Sequence, residues 1–161
     1  MMLDLPDGWV QVWFSIPSGS NATSMGMGAE LVAPNQVRLP RAPWGAFDAA
    51  MHDVFRIERD RDGQWLVKEK IAASGYCAIR VSRADNTDVA HFKDVVLADL
   101  APLEVSGAGM FGFVFLDVPP TADLPRVRSV LRDGETAGRW TVDELCVTAE
   151  WRAAAPPDQM A

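Results

Sequence analysis

Asp53-Val-Phe-Arg-Ile-Glu-Arg-Asp60 runs through Arg61-Asp-Gly63 into Gln64-Trp-Leu-Val-Lys-Glu-Lys-Ile71, so two alternating runs meet across an Asp-Gly pair. A side-chain period of two belongs to extended strands, and Asp-Gly supplies the positive φ that a tight turn needs. The stretch therefore reads as a β-hairpin. Ser74-Gly75 then breaks the pattern. Upstream of the hairpin the chain reads as short strands; downstream, strands alternate with two helical stretches. The expectation is an α+β chain with a small five-stranded β-barrel-like unit over residues 1–74, a ferredoxin-like (βαββαβ) unit over 75–151 and a disordered tail over 152–161.

Working outward toward the N-terminus, Trp9 to Ile16 puts Val10, Val12, Phe14 and Ile16 on one face and Trp9, Gln11, Trp13 and Ser15 on the other. Two tryptophans on the second face call for an apolar layer there as well. The loop that follows contains Asn21-Ala-Thr23, which fits a glycosylation pattern but reads as a polar loop in a chain without a secretory signal. Met25 to Ala33 and Gln36 to Leu39 read as strands around a Pro34-Asn35 turn. Trp44, Phe47 and Met51 fall at helical spacing after Pro43, predicting one or two helical turns before the hairpin.

Toward the C-terminus, Tyr76 to Ser82 is a strand with Cys77, Ile79 and Val81 on its core side. Asp85-Asn-Thr-Asp88 offers caps for a helix through Leu100, whose stripe is Val89, Phe92, Val96 and Leu100. Leu103 to Ser106 reads as a short strand and Met110 to Val118 as a central one, apolar on both faces. Asp123 caps a second helix with Val127, Val130 and Leu131 inward and Gly134 as its stop, and Trp140 to Trp151 is the last strand.

Composition narrows the function. The 161 residues are 48% apolar, enough to bury a sizeable core, and carry a formal charge of -7, which repels phosphate backbones and suits a basic protein partner better than nucleic acid. Cys77 and Cys146 have no metal spacing and read as free thiols of a reducing compartment. An acidic start and the lack of a membrane-length apolar run point to a cytoplasmic protein with no membrane partner.

The chain resembles an uncharacterised bacterial family, domain-of-unknown-function family 4265. The likeness rests on Ala29-Glu-Leu-Val-Ala, Ala42-Pro-Trp-Gly-Ala-Phe, Asp53-Val54, Ser74-Gly75, Arg80-Val81, Asp117-Val-Pro and Val130-Leu-Arg-Asp-Gly-Glu, in that order. It departs from the family pattern at His52, where glycine is usual, and at Ala78, where a hydroxyl residue is usual. The resemblance implies the layout and assigns no activity.

Several groups are candidates for chemistry. Glu58, Asp60, Asp62, Gly63 and Glu69 fall at the first, third, fifth, sixth and twelfth positions of a calcium loop, against a plain hairpin turn as the alternative. Gly107, Gly109 and Gly112 spell GxGxxG, but ahead of a strand, whereas dinucleotide binding needs the glycines after one. Phe111-Gly-Phe-Val lies where RNA-recognition motifs carry stacking aromatics, without their basic residue. Cys77 with His52 and Asp53 could form a thiol and base, against an inert buried thiol. Arg126, Arg128, Arg132 and Arg139 are a basic patch or a solvated helix face.

No catalytic set is complete, and nothing calls for a cofactor. The expectation is a non-enzymatic binding protein, a protein-interaction or immunity-type module for a basic partner. The alternatives are a small-molecule or RNA-sensing regulator using an aromatic seam of Trp9, Trp13, Trp44 and Phe113, and a thiol enzyme. Homo-oligomerisation is left open.

Overall fold

Around Asp62-Gly63 the backbone is a hairpin, as its chemistry requires. Gly63 has φ 79°, and the Asp60 carboxylate accepts the N–H groups of Asp62 and Gln64 at 2.8 and 2.9 Å. The turn joins β4 (Val54–Arg59) to β5 (Trp65–Ala72), paired antiparallel. The computed structural model describes residues 4–15, 24–44, 46 and 48–154 of the chain. The chain divides into two units, Met1–Ser74 and Gly75–Ala161.

The first unit is a closed five-stranded barrel. β1 (Trp9–Ser15), β2 (Ser24–Ala33) and β3 (Gln36–Arg38) run antiparallel into β4 and β5. The barrel closes by parallel pairing of β1 with β5, Val12 opposite Trp65. The inward positions are those the alternation assigns: Val12, Phe14, Met27, Ala29, Val37, Phe55 and Ile57 are buried together. Phe14 meets Phe55 edge-on at 5.8 Å. Under the outward Trp13 of β1, β2 carries a glycine. A Cβ on Gly26 would lie 2.8 Å from the Trp13 ring, and one on Gly28 would lie 2.7 Å from Leu5.

One expectation in this unit fails. The described residues between Arg41 and Asp53 form bends and turns rather than helix. Asp48 and His52 have φ of 60° and 68°, outside the helical region, and Ala42, Ala46, Ala49 and Ala50 are buried as a small-residue plug. Phe47, Ile16 and the Asn21-Ala-Thr23 pattern lie outside the described residues, as do positions 155–161 of the expected tail.

The second unit is a four-stranded antiparallel sheet with its helices on one face. β6 (Cys77–Arg83) lies between β8 (Phe113–Val118) and β9 (Trp140–Cys146), and β7 (Ser106–Met110) pairs with the far side of β8. α1 (Val89–Leu100), capped by Asp88, and α2 (Leu124–Thr136), capped by Asp123, pack Phe92, Val96, Leu100, Val127 and Leu131 onto Ile79, Val81, Val114, Leu116 and Val118.

Here the structure corrects several boundaries. Val89 is 43% exposed and stands outside the stripe. Residues Ala101–Leu103 form a 3-10 turn, so the strand expected at Leu103 starts only at Ser106. Its glycines hid it: a Cβ on Gly107 would lie 2.5 Å from the Phe115 carbonyl oxygen, so the close approach of β7 to β8 demands glycine in a strand that propensity disfavours. Phe111 and Gly112, with φ of 57° and 82°, form the hairpin turn that cuts the expected long strand in two. The last strand ends at Cys146, and Thr148 caps α3 (Ala149–Ala153), so helix stands where extended chain and tail were expected.

Gly134 does not stop α2, which runs to Thr136 with Gly138, at φ 74°, beyond its end. Gly134 instead makes room for Trp140, 2% exposed, whose indole N–H donates to the Leu131 carbonyl at 2.8 Å. A Cβ at 134 would fall 2.0 Å from that ring. Gly134→Ala, which by helix propensity alone would stabilise, is therefore expected to destabilise the second unit by about 1–3 kcal/mol in urea denaturation.

Candidate functional site

Strand register assembles a row of side chains on the outside of the barrel. Trp9 on β1 stands opposite Glu30 on β2, Glu30 opposite Arg38 on β3, and Arg38 opposite Val54 on β4. Their neighbours Ala29, Val37 and Phe55 are buried, so the pleat sends the row outward. Hydrogen bonding continues past Arg38: Leu39 N–H donates to the Asp53 carbonyl at 3.0 Å and His52 N–H to the Leu39 carbonyl at 2.8 Å, bringing Pro40 and His52 alongside. Trp9, Glu30, Arg38, Leu39, Pro40 and His52 line an open cleft of about 610 Å³.

Glu30 and Arg38 pair at 2.6 Å with side chains 41% and 46% exposed. A solvated pair of this kind contributes no more than about 1 kcal/mol, so a ligand can rearrange it at little cost. His52 holds its ring at the cleft from a left-handed backbone that costs a non-glycine residue about 1–3 kcal/mol.

Asp53, a candidate base beside His52 on sequence grounds, instead anchors this geometry. Its buried carboxylate accepts the N–H of Ala50 at 2.9 Å and of Ser74 at 2.8 Å and pairs with Lys70 at 2.8 Å. The Ser74 hydroxyl in turn donates to the Met51 carbonyl at 2.6 Å. These bonds fix the turn that carries His52, and they give Asp53 and Ser74 a structural role.

The other candidates are placed as follows. Cys77 lies on β6 in the second unit, 1% exposed, with Thr148 Oγ1 at 3.7 Å; burial pushes its thiol up, away from the thiolate a nucleophile needs. Of the calcium candidates, Glu58 and Glu69 both pair with Arg56, at 3.2 and 2.5 Å, and the Arg56 hydrogen bond holds the Glu69 carboxyl below its ordinary range. Asp60 serves the turn, and among the described residues no three His, Cys, Asp or Glu side chains gather at one point. Gly107 and Gly109 belong to β7 and Gly112 to its turn, with no helix following.

Of the four proposed aromatic ligands, only Trp9 lines the cleft. Trp13 lies over Gly26, and Trp44 stacks under Arg41 at 4.2 Å. Phe113, in the second unit, lies under Arg80 at 4.9 Å beside Phe115, which is only 6% exposed. Within the basic patch, Arg128 donates to the Trp151 carbonyl at 2.8 Å and Arg139 pairs with Asp99 at 3.3 Å.

Sequence reasoning missed Glu30 and Arg38. A plain hairpin around Pro34-Asn35 would pair Glu30 with Leu39; a bulge between Leu31 and Ala33 shifts the register and brings Arg38 opposite. The only signal was a pair of opposite charges flanking a turn.

Residues 26–142 match the family model described as Domain of unknown function (DUF4265). The chain belongs to the DUF4265 family. This DUF4265 chain is also similar to a solved structure titled "Novel crystal structure of a hypothetical protein from Neisseria gonorrhoeae", with a TM-score of 0.67 and 19% identity over 85% of this chain and 94% of that one. That likeness is one of fold alone. No curated protein matches. The left-handed backbone at position 52 suits the glycine that the resemblance leads one to expect there, and Asp53 and Ser74, both part of the resemblance, are hydrogen-bonded to each other.

Two variants separate scaffold from cleft. Asp53→Ala strands Lys70 and two N–H groups and is expected to cost about 3–5 kcal/mol in chemical denaturation. His52→Gly removes the imidazole and relieves its backbone, raising stability by about 1 kcal/mol in the same measurement.

Proposed function

We propose that this DUF4265 protein is a non-enzymatic binding protein of the bacterial cytoplasm that engages a basic protein partner through the barrel cleft. The observation that carries the reading is the cleft itself, where register brings a tryptophan, a solvated carboxylate and a histidine to one open surface of about 610 Å³. Charge supports the choice of partner, since acids exceed bases in both units, by two in the first and five in the second. The burial of Cys77, which pushes its thiol up, favours binding over thiol catalysis. Two free cysteines agree with a reducing compartment, and the similar Neisseria protein agrees with a bacterial origin. No helix among the described residues is long and apolar enough to cross a membrane.

We also read the second unit as ferredoxin-like. Strand order β7-β8-β6-β9, all antiparallel, with helices following β6 and β8, supports that topology. The RNA-sensing form of the regulator gains less support, because buried Phe115 offers no second stacking ring beside Phe113. A small-molecule ligand is the second reading, favoured by a cleft volume in the range of ligand sites.

Tagged protein recovered from its native host tests the proposal against a Trp9→Ala/Glu30→Ala double variant. Wild type is expected to retain a stoichiometric basic protein that the variant loses. Equal retention by both removes the cleft from the function, and an organic ligand released only by denatured wild type selects the second reading.

A further inference from the structure

Four of the six tryptophans carry an arginine of their own. Arg41 lies over Trp44 at 4.2 Å, Arg59 over Trp65 at 4.4 Å, Arg139 over Trp140 at 4.5 Å and Arg128 over Trp151 at 5.5 Å. Among the described residues no cation lies over Trp9 or Trp13. Trp13 has a glycine strand to rest on, with the Gln11 side chain beside it. Trp9 stands in the cleft with the carboxylate of Glu30 directly across the strand pair.

We propose that Trp9 and Glu30 form a receptor for the guanidinium of an arginine side chain presented by the partner protein. The inference rests on the binding reading above and specifies its chemistry. A guanidinium is planar, so it can lie on an indole face while its N–H edge meets a carboxylate. Glu30 can serve as that carboxylate, because Arg38 takes only Oε1, at 2.6 Å, and the second oxygen has acceptor capacity of its own. An incoming arginine thus shares Glu30 with Arg38 and competes with it. The charge of the cleft's own unit favours a cation modestly, since acids exceed bases there by two. The cleft also offers an apolar surface for an arginine stem at Pro40, the Leu39 side chain being turned into the barrel core.

Arg38 makes the proposal decisive, because it has opposite effects on opposite ligands. A cation at Glu30 must overcome Arg38, whereas an anion in the same cleft would depend on it. The experiment is an NMR titration of the wild-type chain with an end-blocked Gly-Arg-Gly peptide, followed at the Trp9 indole N–H. Gly-Gln-Gly serves as the neutral control, and circular dichroism confirms that each exposed-site variant is folded. Saturable shifts are expected with the arginine peptide alone. Glu30→Gln should abolish them, Trp9→Leu should weaken binding by about three- to fivefold when followed at the His52 amide, and Arg38→Gln should strengthen binding by a similar factor. Equal response to the neutral peptide, or weaker binding by Arg38→Gln, overturns the proposal. A native partner that binds Glu30→Gln as well as wild type but fails with Trp9→Ala overturns the guanidinium receptor and leaves the binding role of the cleft standing; a partner indifferent to both variants removes the two together.

Discussion

One buried carboxylate holds the barrel's working end in place. A charged group at 1% exposure survives in a protein interior only when its lone pairs are fully engaged, and Asp53 meets that condition with two backbone N–H groups and the Lys70 ammonium. Because one of those N–H groups belongs to Ala50 and the other to Ser74, the carboxylate ties the turn before β4 to the end of β5. His52 sits inside the tied segment. Its left-handed backbone persists because the bonds on either side leave the chain no other course.

The cleft shows how a flat alternation of residues becomes a site. Trp9, Glu30 and Arg38 are scattered over about thirty positions and meet only because three strands pair in a given register. Moving any one strand by a single residue would turn its member of the row into the core. Barrel closure, which leaves no free edge to slip, is thus as much a part of the site as its side chains.

What was legible in the sequence followed from period and punctuation. The Asp62-Gly63 hairpin, the inward face of β1 and the Asp88 and Asp123 caps were all readable, because each depends on neighbours in the chain. What was hidden depends on residues distant in sequence. Gly134 resembles a helix stop until Trp140 is seen against it, and Gly107 resembles a loop until β8 lies alongside. Asp53 looked like a base beside His52 because its true partners, Ser74 and Lys70, are about twenty residues away. Glycine in particular is read as freedom locally, whereas here it often means contact.

The parallel seam between β1 and β5 has a consequence for how the chain reaches this state. Val12 and Trp65 are separated by more than fifty residues, so the loop they close is long and its entropy is lost before the pairing returns anything. During synthesis the first strand can pair with the second at once, but its other edge must stay open until the fifth has left the ribosome. The interval before that arrival is when this protein is most exposed to aggregation or to a chaperone's grip.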